Sequence, residues 1–351
     1  MRHLAILCVR NEGAFLLEWL AHHLAVGIDH VLVFSNDCQD GTDAMLDRLE
    51  AMGHVTHIRN TGPYDKGGIQ FTALKRAATH KLVKQAEWIL PLDVDEFVNI
   101  HCGDHTLEAL HAALPDATAI TLTWRLFGAD NQVRYTDAPV LDTFTRAAPA
   151  VMYWPWRAAM FKTLYRNDGT YKKPGVHRPR DASKTKLAQA RWFDGNGAPL
   201  PEPFLTKRIF SNFGQDNYGL VQLNHYPLGA MESYVLKADR GRAVHSDDLL
   251  GLDYWVERNF NTDEDRSIAS LGAPRAQAHA ALMADAALAQ LHADAALWRT
   301  TRFDALMQQE PFRALFGRLL MAPPSRPVTL QAAQFMVHHA NLARTNQPPD
   351  A

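Results

Sequence analysis

The sequence predicts an α/β protein: a mostly parallel sheet flanked by helices, with a helical region at the C-terminal end. Three observations carry this prediction. Short apolar runs alternate with helical-period segments through residues 1–100, the pattern of βαβ units joined by right-handed crossovers. Each run ends in a polar loop bearing Asn, Asp or Gly, and in open α/β sheets such loops converge at one edge, where ligands bind. Beyond Pro274 the composition turns alanine-rich, with Leu282, Leu288, Leu291 and Leu297 at helical intervals and no strand signal.

In order, residues 4–9 form an apolar run that predicts a buried strand, followed by the polar turn Arg10-Asn11-Glu12-Gly13. Leu16, Trp19, Leu20 and Leu24 then repeat at helical spacing until Gly27 stops the helix. Residues 31–34 predict a second strand, Met45, Leu46, Leu49 and Met52 an amphipathic helix, residues 55–58 a short strand and residues 69–85 a single helix. After the next strand, Leu107, Leu110 and Leu114 mark a short helix and residues 119–123 another strand. Periodicity weakens over residues 124–217, which are rich in aromatics and turn formers and too long for one loop, so short antiparallel strands are expected there. Residues 221–224 predict a late strand and 231–240 a helix, and residues 346–351 are expected to fray.

The chemistry concentrates in the stretch from Trp88 to Val98. Trp88, Ile89, Leu90 and Leu92 read as a strand covered on both faces, and Asp93, Asp95 and Glu96 follow within four residues. In an extended chain Asp93 and Asp95 would point the same way. Two carboxylates on one side of a strand end repel each other, and a hard cation such as Mg²⁺ or Mn²⁺ between them relieves this. The bland alternative is a solvated acidic turn.

Composition narrows the function classes. A hydrophobic content of 47% with 21% charged residues describes an ordinary globular chain, and a formal net charge of −2 supplies no basic field for nucleic acid. Cys8, Cys38 and Cys102 match no zinc spacing, and their odd number argues against a disulfide framework, so a reducing cytoplasm is expected. The apolar run near the N-terminus is too short for a signal peptide, and no stretch approaches the roughly 20 residues that span a bilayer. Contact with a membrane would then be peripheral, from its cytoplasmic face. No G-x-G-x-x-G or phosphate-binding P-loop motif is present.

Residues Cys8-Val9-Arg10-Asn11-Glu12, Phe34 to Thr42 and Leu92-Asp93-Val94-Asp95-Glu96-Phe97, together with Leu223-Asn224-His225-Tyr226 and Lys237-Ala238-Asp239-Arg240-Gly241, resemble a family 2-type glycosyltransferase of the GT-A fold, in its bacterial branch. The resemblance covers roughly residues 1–245. It implies a GT-A-like, Rossmann-type domain over residues 1–265, with a nucleotide-binding half (1–100) and an acceptor half (101–265), ahead of the helical region 266–351. It implies a metal-dependent, inverting transfer from a nucleotide-sugar, by default a UDP-sugar, to a glycan or lipid-linked acceptor of surface polysaccharide synthesis. By the same resemblance Asp95, His225 and Asp93 hold Mn²⁺ or Mg²⁺, and Arg10, Asn11, Glu12, Asp37, Gln70 and Asp93 meet the nucleotide-sugar. The catalytic base is expected past the metal motif, with Asp130, Asp194 and Asp216 as candidates.

Some residues admit two readings on the sequence alone. Asp37 and Asp40 could instead make turns and cap the next helix. Lys162, Arg166, Lys172, Lys173, His177, Arg178 and Arg180 form a basic stretch that either contacts a diphosphate or is solvated, and Trp154 and Trp156 either stack on a sugar or plug a core. The alternatives to glycosyl transfer are a sugar-phosphate nucleotidyltransferase, whose glycine-rich basic signature is missing near Val9, and a non-catalytic carbohydrate-binding protein on the same fold.

Overall fold

The computed structural model describes residues 1–64, 67–241 and 250–345. The expected parallel half is there: β1 (His3–Val9), β2 (His30–Ser35), β3 (Val55–Arg59) and β4 (Trp88–Leu92) pair in parallel in the order β3-β2-β1-β4. Strand alternation splits their side chains between two cores. Ala5, Leu7, Val9, Val31 and Val33 pack with Trp19 and Leu20 of α1 (Gly13–Val26) and with Met45 and Leu49 of α2 (Thr42–Ala51). Leu4, Ile6, Leu32 and Phe34 pack on the opposite face against Ala73, Leu74 and Ala77 of α3 (Ile69–Thr79).

Two local expectations give way. The single helix over residues 69–85 is broken at His80, whose backbone is extended (φ −71°, ψ 143°) and whose ring accepts the Leu82 N–H to start α4 (Lys81–Gln85). A side-chain cap that restarts the helix competes with continuing the backbone ladder. The acidic stretch does not stay extended either: Asp93, Val94 and Asp95 turn, the Glu96 N–H donates to the Asp93 carbonyl at 3.1 Å, and β5 (Glu96–Ile100) leaves in a new direction.

After α5 (Leu107–Ala113), β6 (Ala119–Leu126) returns to the sheet. The weakly periodic segment supplies β7 (Phe161–Arg166), inserted antiparallel between β4 and β6, and β8 (Trp192–Phe193) beside the start of β6. β9 (Val221–His225) runs parallel to β6 and antiparallel to β5. Among the described residues the main sheet has nine strands, eight of them on the path β3-β2-β1-β4-β7-β6-β9-β5, with β8 off it, and two small two-stranded sheets lie apart from it. The fold is therefore α/β with a mostly parallel first half, helices on its faces and a helical C-terminal region.

Helix α6 (Met231–Arg240) follows β9. Beyond it lie α7 (Gly272–Met283), α8 (Ala286–Leu306), α9 (Glu310–Met321) and α10 (Leu330–Thr345). Leu282 and Leu288 join the core around β1 and α1, whereas Leu306, Leu315 and Leu319 pack with Tyr234 and Trp255. A Cβ at Gly13 would lie 2.8 Å from the Ala295 Cβ, so α1 begins against α8 at a separation that glycine permits. Leu297, expected on the apolar face, is 65% exposed. The terminal stretch 346–351, expected to fray, lies outside the described residues.

Candidate active site

The turn that ends β4 forms the floor of a cleft of about 1730 Å³, open mouth included. Its walls come from the ends of β1 and β4, from Gln70 on α3, Trp124 on β6, His225 on β9, and Lys237 and Arg240 on α6. The turn is held from below. Trp19 donates its indole N–H to the Glu96 carbonyl at 2.9 Å, and the Tyr226 N–H donates to the Asp95 carbonyl at 2.8 Å.

Each acid of the turn has its own partners. Asp93 accepts from Gln70 Nε2 at 2.9 Å and from Lys162 Nζ at 2.8 Å. Glu96 is fully buried and accepts from Trp124 Nε1 at 2.7 Å and from the Asp93 N–H at 2.9 Å, with Lys162 Nζ at 3.4 Å. Burial pushes the Glu96 carboxyl above its ordinary range, Lys162 pulls it back, and Asp93 and Asp95 add to the rise. Burial disfavours the Lys162 ammonium, but Asp93 and Glu96 outweigh it and hold the lysine charged. Asp95 accepts from Lys237 Nζ at 2.8 Å, and the same ammonium donates to the Pro227 carbonyl at 2.7 Å. Burial opposes the charged form of Asp95, yet Lys237 and then His225 keep it ionised well below the usual carboxylate range.

Two histidines stand over this network. His225 packs on the Trp124 ring at 4.2 Å, and burial lowers its pKa against the pull of Asp95. His177 donates its Nδ1–H to the Phe161 carbonyl (3.0 Å) and meets Trp124 edge to face; burial, then Lys162, lowers it to about 4. Arg240 bonds the Glu12 carboxylate and donates to the Arg10 carbonyl at 2.9 Å, and Arg10 answers by donating to the Arg240 carbonyl at 3.2 Å.

The structure brings together most of the residues expected at the nucleotide-sugar. Arg10, Glu12, Gln70, Asp93, Asp95 and His225 all line the cleft. Asn11 does not: with φ 55° it turns back and accepts the Gln39 N–H at 2.7 Å, tying one strand-end loop to the next. Asp37 lies on that next loop, exposed, and accepts from the Tyr64 hydroxyl at 2.7 Å. Asp130, Asp194 and Asp216 are not brought to the cleft. Asp130 sits in a loop held by Asn261, Asp216 is exposed and caps the Tyr218 N–H, and Asp194 is buried with its carboxylate accepting from Asn196 and Ala198. Of the basic stretch, Lys162 and His177 reach the site, while Arg166 and Lys173 pair at the surface with Glu87 and Asp181. Trp156 lines the cleft and Trp154 does not. Lys237 and Arg240 had no assigned role from sequence, although their spacing of three on one helix puts them on one face. Glu96 is marked in sequence as part of the acidic stretch but has no assigned role there, and nothing local marks Trp124.

A divalent cation fits part of this arrangement. Asp95 Oδ1 and His225 Nε2 face each other 3.7 Å apart, and the buried His225 Nδ1 has no partner. Among the described residues no group of three His, Cys, Asp or Glu is poised to hold a metal, and the Asp93 carboxylate is occupied by Gln70 and Lys162. Mg²⁺ and Mn²⁺ are commonly held by one or two protein ligands with phosphate oxygens completing the shell. Asp95 and His225 are thus the pair whose donor chemistry and approach fit a divalent cation, while Asp93 is already taken up by Gln70 and Lys162.

Comparison with known proteins bears on the family of the chain. The model of the family described as glycosyltransferase family 92 matches residues 6–193, more than half of the chain. A family 92 protein of Ricinus communis is 27% identical over 106 residues, 29% of this chain and 18% of that protein. One of Oryza sativa subsp. japonica is 28% identical over 103 residues, 28% of this chain and 16% of that protein. The matches thus span less than a fifth of these curated relatives. Among solved structures, S. aureus TarS 1-349 in complex with UDP aligns at 15% identity over 88% of this chain and 92% of that one, with a TM-score of 0.32, too low to transfer anything. No helix among the described residues is long and apolar enough to cross a membrane. The family that matches is family 92 where the motifs resembled a family 2-type branch, and the chain belongs to glycosyltransferase family 92.

Proposed function

We propose that the protein transfers a sugar, with inversion, from a nucleotide-sugar donor to an acceptor hydroxyl. The observation that carries this is the Asp93–Asp95 turn at the end of a parallel strand, in a cleft that also holds Arg10, Lys237, Arg240 and His225. A diphosphate leaving group gathers negative charge as its bond to the sugar breaks, and preorganised cations are the main source of stabilisation for such charge. Lys237 and Arg240 are set for that task by Asp95 and Glu12, which hold them in place before the donor arrives. Asp95 and His225 would hold Mn²⁺ or Mg²⁺, which supplies Lewis-acid stabilisation of the departing diphosphate. Gln70 and Lys162 hold Asp93 for the ribose, Asp37, on the loop after β2 and bonded to the Tyr64 hydroxyl, would turn to the base, and Trp156 offers a ring face to a sugar.

A UDP-sugar is the first donor to try, and a glycan or lipid-linked intermediate of surface polysaccharide synthesis the first acceptor. Inversion takes the acceptor's proton to a carboxylate; Asp130, Asp194 or Asp216 can fill that role only if the acceptor-bound state draws its loop to the cleft. The test is calorimetry of UDP with Mn²⁺ and with EDTA, followed by thermal-shift screening of nucleotide-sugars. Tight binding that needs the metal, and weak binding of Mn²⁺ without UDP, is expected. Equal UDP affinity in both conditions removes the cation from the reading, and no binding of any nucleotide removes the reading itself.

A further inference from the structure

We propose that the protein carries a second ligand site, between α1, α6 and α8, for a molecule that bears one phosphate or carboxylate on an apolar body. A cavity of about 970 Å³, open mouth included, lies there and shares a wall with the donor cleft: Glu12, Val94, Asp95, Lys237 and Arg240 face both. The rest of its lining is largely aromatic and aliphatic, including Phe15, Phe97, Phe144, Tyr226, Leu228 and Trp298. Such a surface takes up an apolar body of a ligand.

The charged groups of this cavity do not balance. Its carboxylates are already engaged: Asp95 by Lys237, Glu12 by Arg240, and Asp239 by Nη2 and Nε of Arg302 at 2.8 and 2.9 Å. Arg299 is left over. It lines the cavity from α8, is 6% exposed, and has a buried Nε with no hydrogen-bond partner. Its guanidinium lies over the rings of Phe15 (4.4 Å) and Tyr135 (4.8 Å). Aromatic faces attract the charge but accept none of its in-plane N–H groups, and among the described residues no carboxylate or carbonyl takes them either. Burial lowers Arg299 to about 10, and Tyr135 and the carboxylate of Asp40, which accepts no hydrogen bond from it, offset this only in part; Arg299 stays charged at neutral pH, and it and Arg10 both add positive potential at Arg240. Arg134, exposed and also in the lining, adds a further guanidinium. A buried, unpaired cation is costly unless something pairs it, and here the missing partner is an anion entering through the cavity.

The site stands apart from the sugar-transfer reading, because its test needs neither donor nor turnover. Full-length protein, without nucleotide, is titrated with geranyl phosphate (a lipid phosphate) and with 3-phenylpropionate (an aromatic carboxylate), against geraniol and inorganic phosphate. At least one of the two anionic amphiphiles is expected to bind, and both controls to bind at least about tenfold more weakly, since each lacks half of the recognition. Arg299→Met keeps the bulk between Phe15 and Tyr135 and removes the charge. It should hold or raise the melting temperature, lose about tenfold or more in amphiphile affinity, and leave UDP binding unchanged. Leu228→Trp, which fills the cavity while retaining Arg299, should also block the amphiphile. The proposal is overturned if neither amphiphile binds the parent, if Arg299→Met binds as the parent does, or if Leu228→Trp folds and still binds.

Discussion

After β2 the chain places Asp37 and Asp40 three residues apart, and after β4 it places Asp93 and Asp95 two apart. Both pairs sit at ends of parallel strands, yet their partners differ in kind. Asp40 is 4% exposed and spends its carboxylate on the chain itself: it accepts the Gly13 N–H at 2.9 Å, the Thr42 N–H at 3.0 Å and the Thr42 hydroxyl at 2.6 Å. It thereby serves the first turns of α1 and α2 and has nothing left for a ligand. Asp93 and Asp95 are held instead by lysine side chains brought from residues 162 and 237. A backbone amide locks an acid into structure, whereas an ammonium leaves the pair a charged unit that a diphosphate or cation can reorganise. Which kind of donor meets the acid, rather than the acid itself, separates a cap from a candidate catalytic group.

That contrast can be broken at several points, taken from the largest expected effect down. Lys162→Met strands Glu96 and Asp93 without their shared cation. Loss of one partner of a buried pair costs about 3–5 kcal/mol, so urea unfolding should show a drop of that order; a change near zero would mean that Glu96 is neutral in the parent. Asp95→Ala should slow transfer by about 100-fold or more, roughly 3 kcal/mol, while circular dichroism stays unchanged. Parent turnover with several donors, at saturating metal, would return the turn to a structural role like that of Asp40.

Acid stability sharpens the comparison from the neutral side of the core. His22 is fully buried, bonds the Val98 carbonyl at 2.7 Å, and burial lowers it from 6.5 to about 4. Between those values the unfolded chain takes up the proton and the folded chain does not, so stability is intact above 6.5 and is lost as pH falls toward 4. The loss from this one group is about 3 kcal/mol. His22→Gln should flatten the parent's stability profile over that window, and an unchanged profile would shift the acid sensitivity to other groups such as His111 and His177. Asp40→Ala should cost about 2 kcal/mol in unfolding free energy, as loss of a buried cap does, with no direct effect on the cleft. Asp37→Ala, at an exposed loop, should change stability by less than about 0.5 kcal/mol yet weaken nucleotide binding. A large stability loss there would make the loop's two acids alike.

Much of the fold could be read locally. The strands at 3–9, 30–35 and 88–92 are largely apolar on both faces because helices cover both, and a near-continuous apolar run reports that directly; the edge strand at 55–59 is only partly so. Gly27 ends α1 in the left-handed region at φ 108°, as its position after the helical pattern implies. The turn at Asp93–Asp95 was legible as a place and not as a geometry. An extended chain would have set both carboxylates on one face, whereas the turn directs one toward Lys162 and the other toward Lys237. Asp194 is followed by Gly195-Asn196-Gly197, a turn signature, and its carboxylate does close that turn, so its place among the candidate bases set a local signal aside.

By itself the sequence determined the alternation of strands and helices, the acidic strand end and the late histidine, since apolar period and turn chemistry act between near neighbours. Only the tertiary structure decided what those groups meet. β7 enters the sheet antiparallel between β4 and β6, and that register alone carries Lys162 under Asp93 and Glu96. Helix α6 crosses behind the turn and delivers Lys237 and Arg240 from more than 140 residues away. α8 closes over α1 and leaves Arg299 buried without an anion. Charge pairing depends on distance in space, and strand order and helix docking set that distance through long-range packing for which no single stretch of the chain carries a signature.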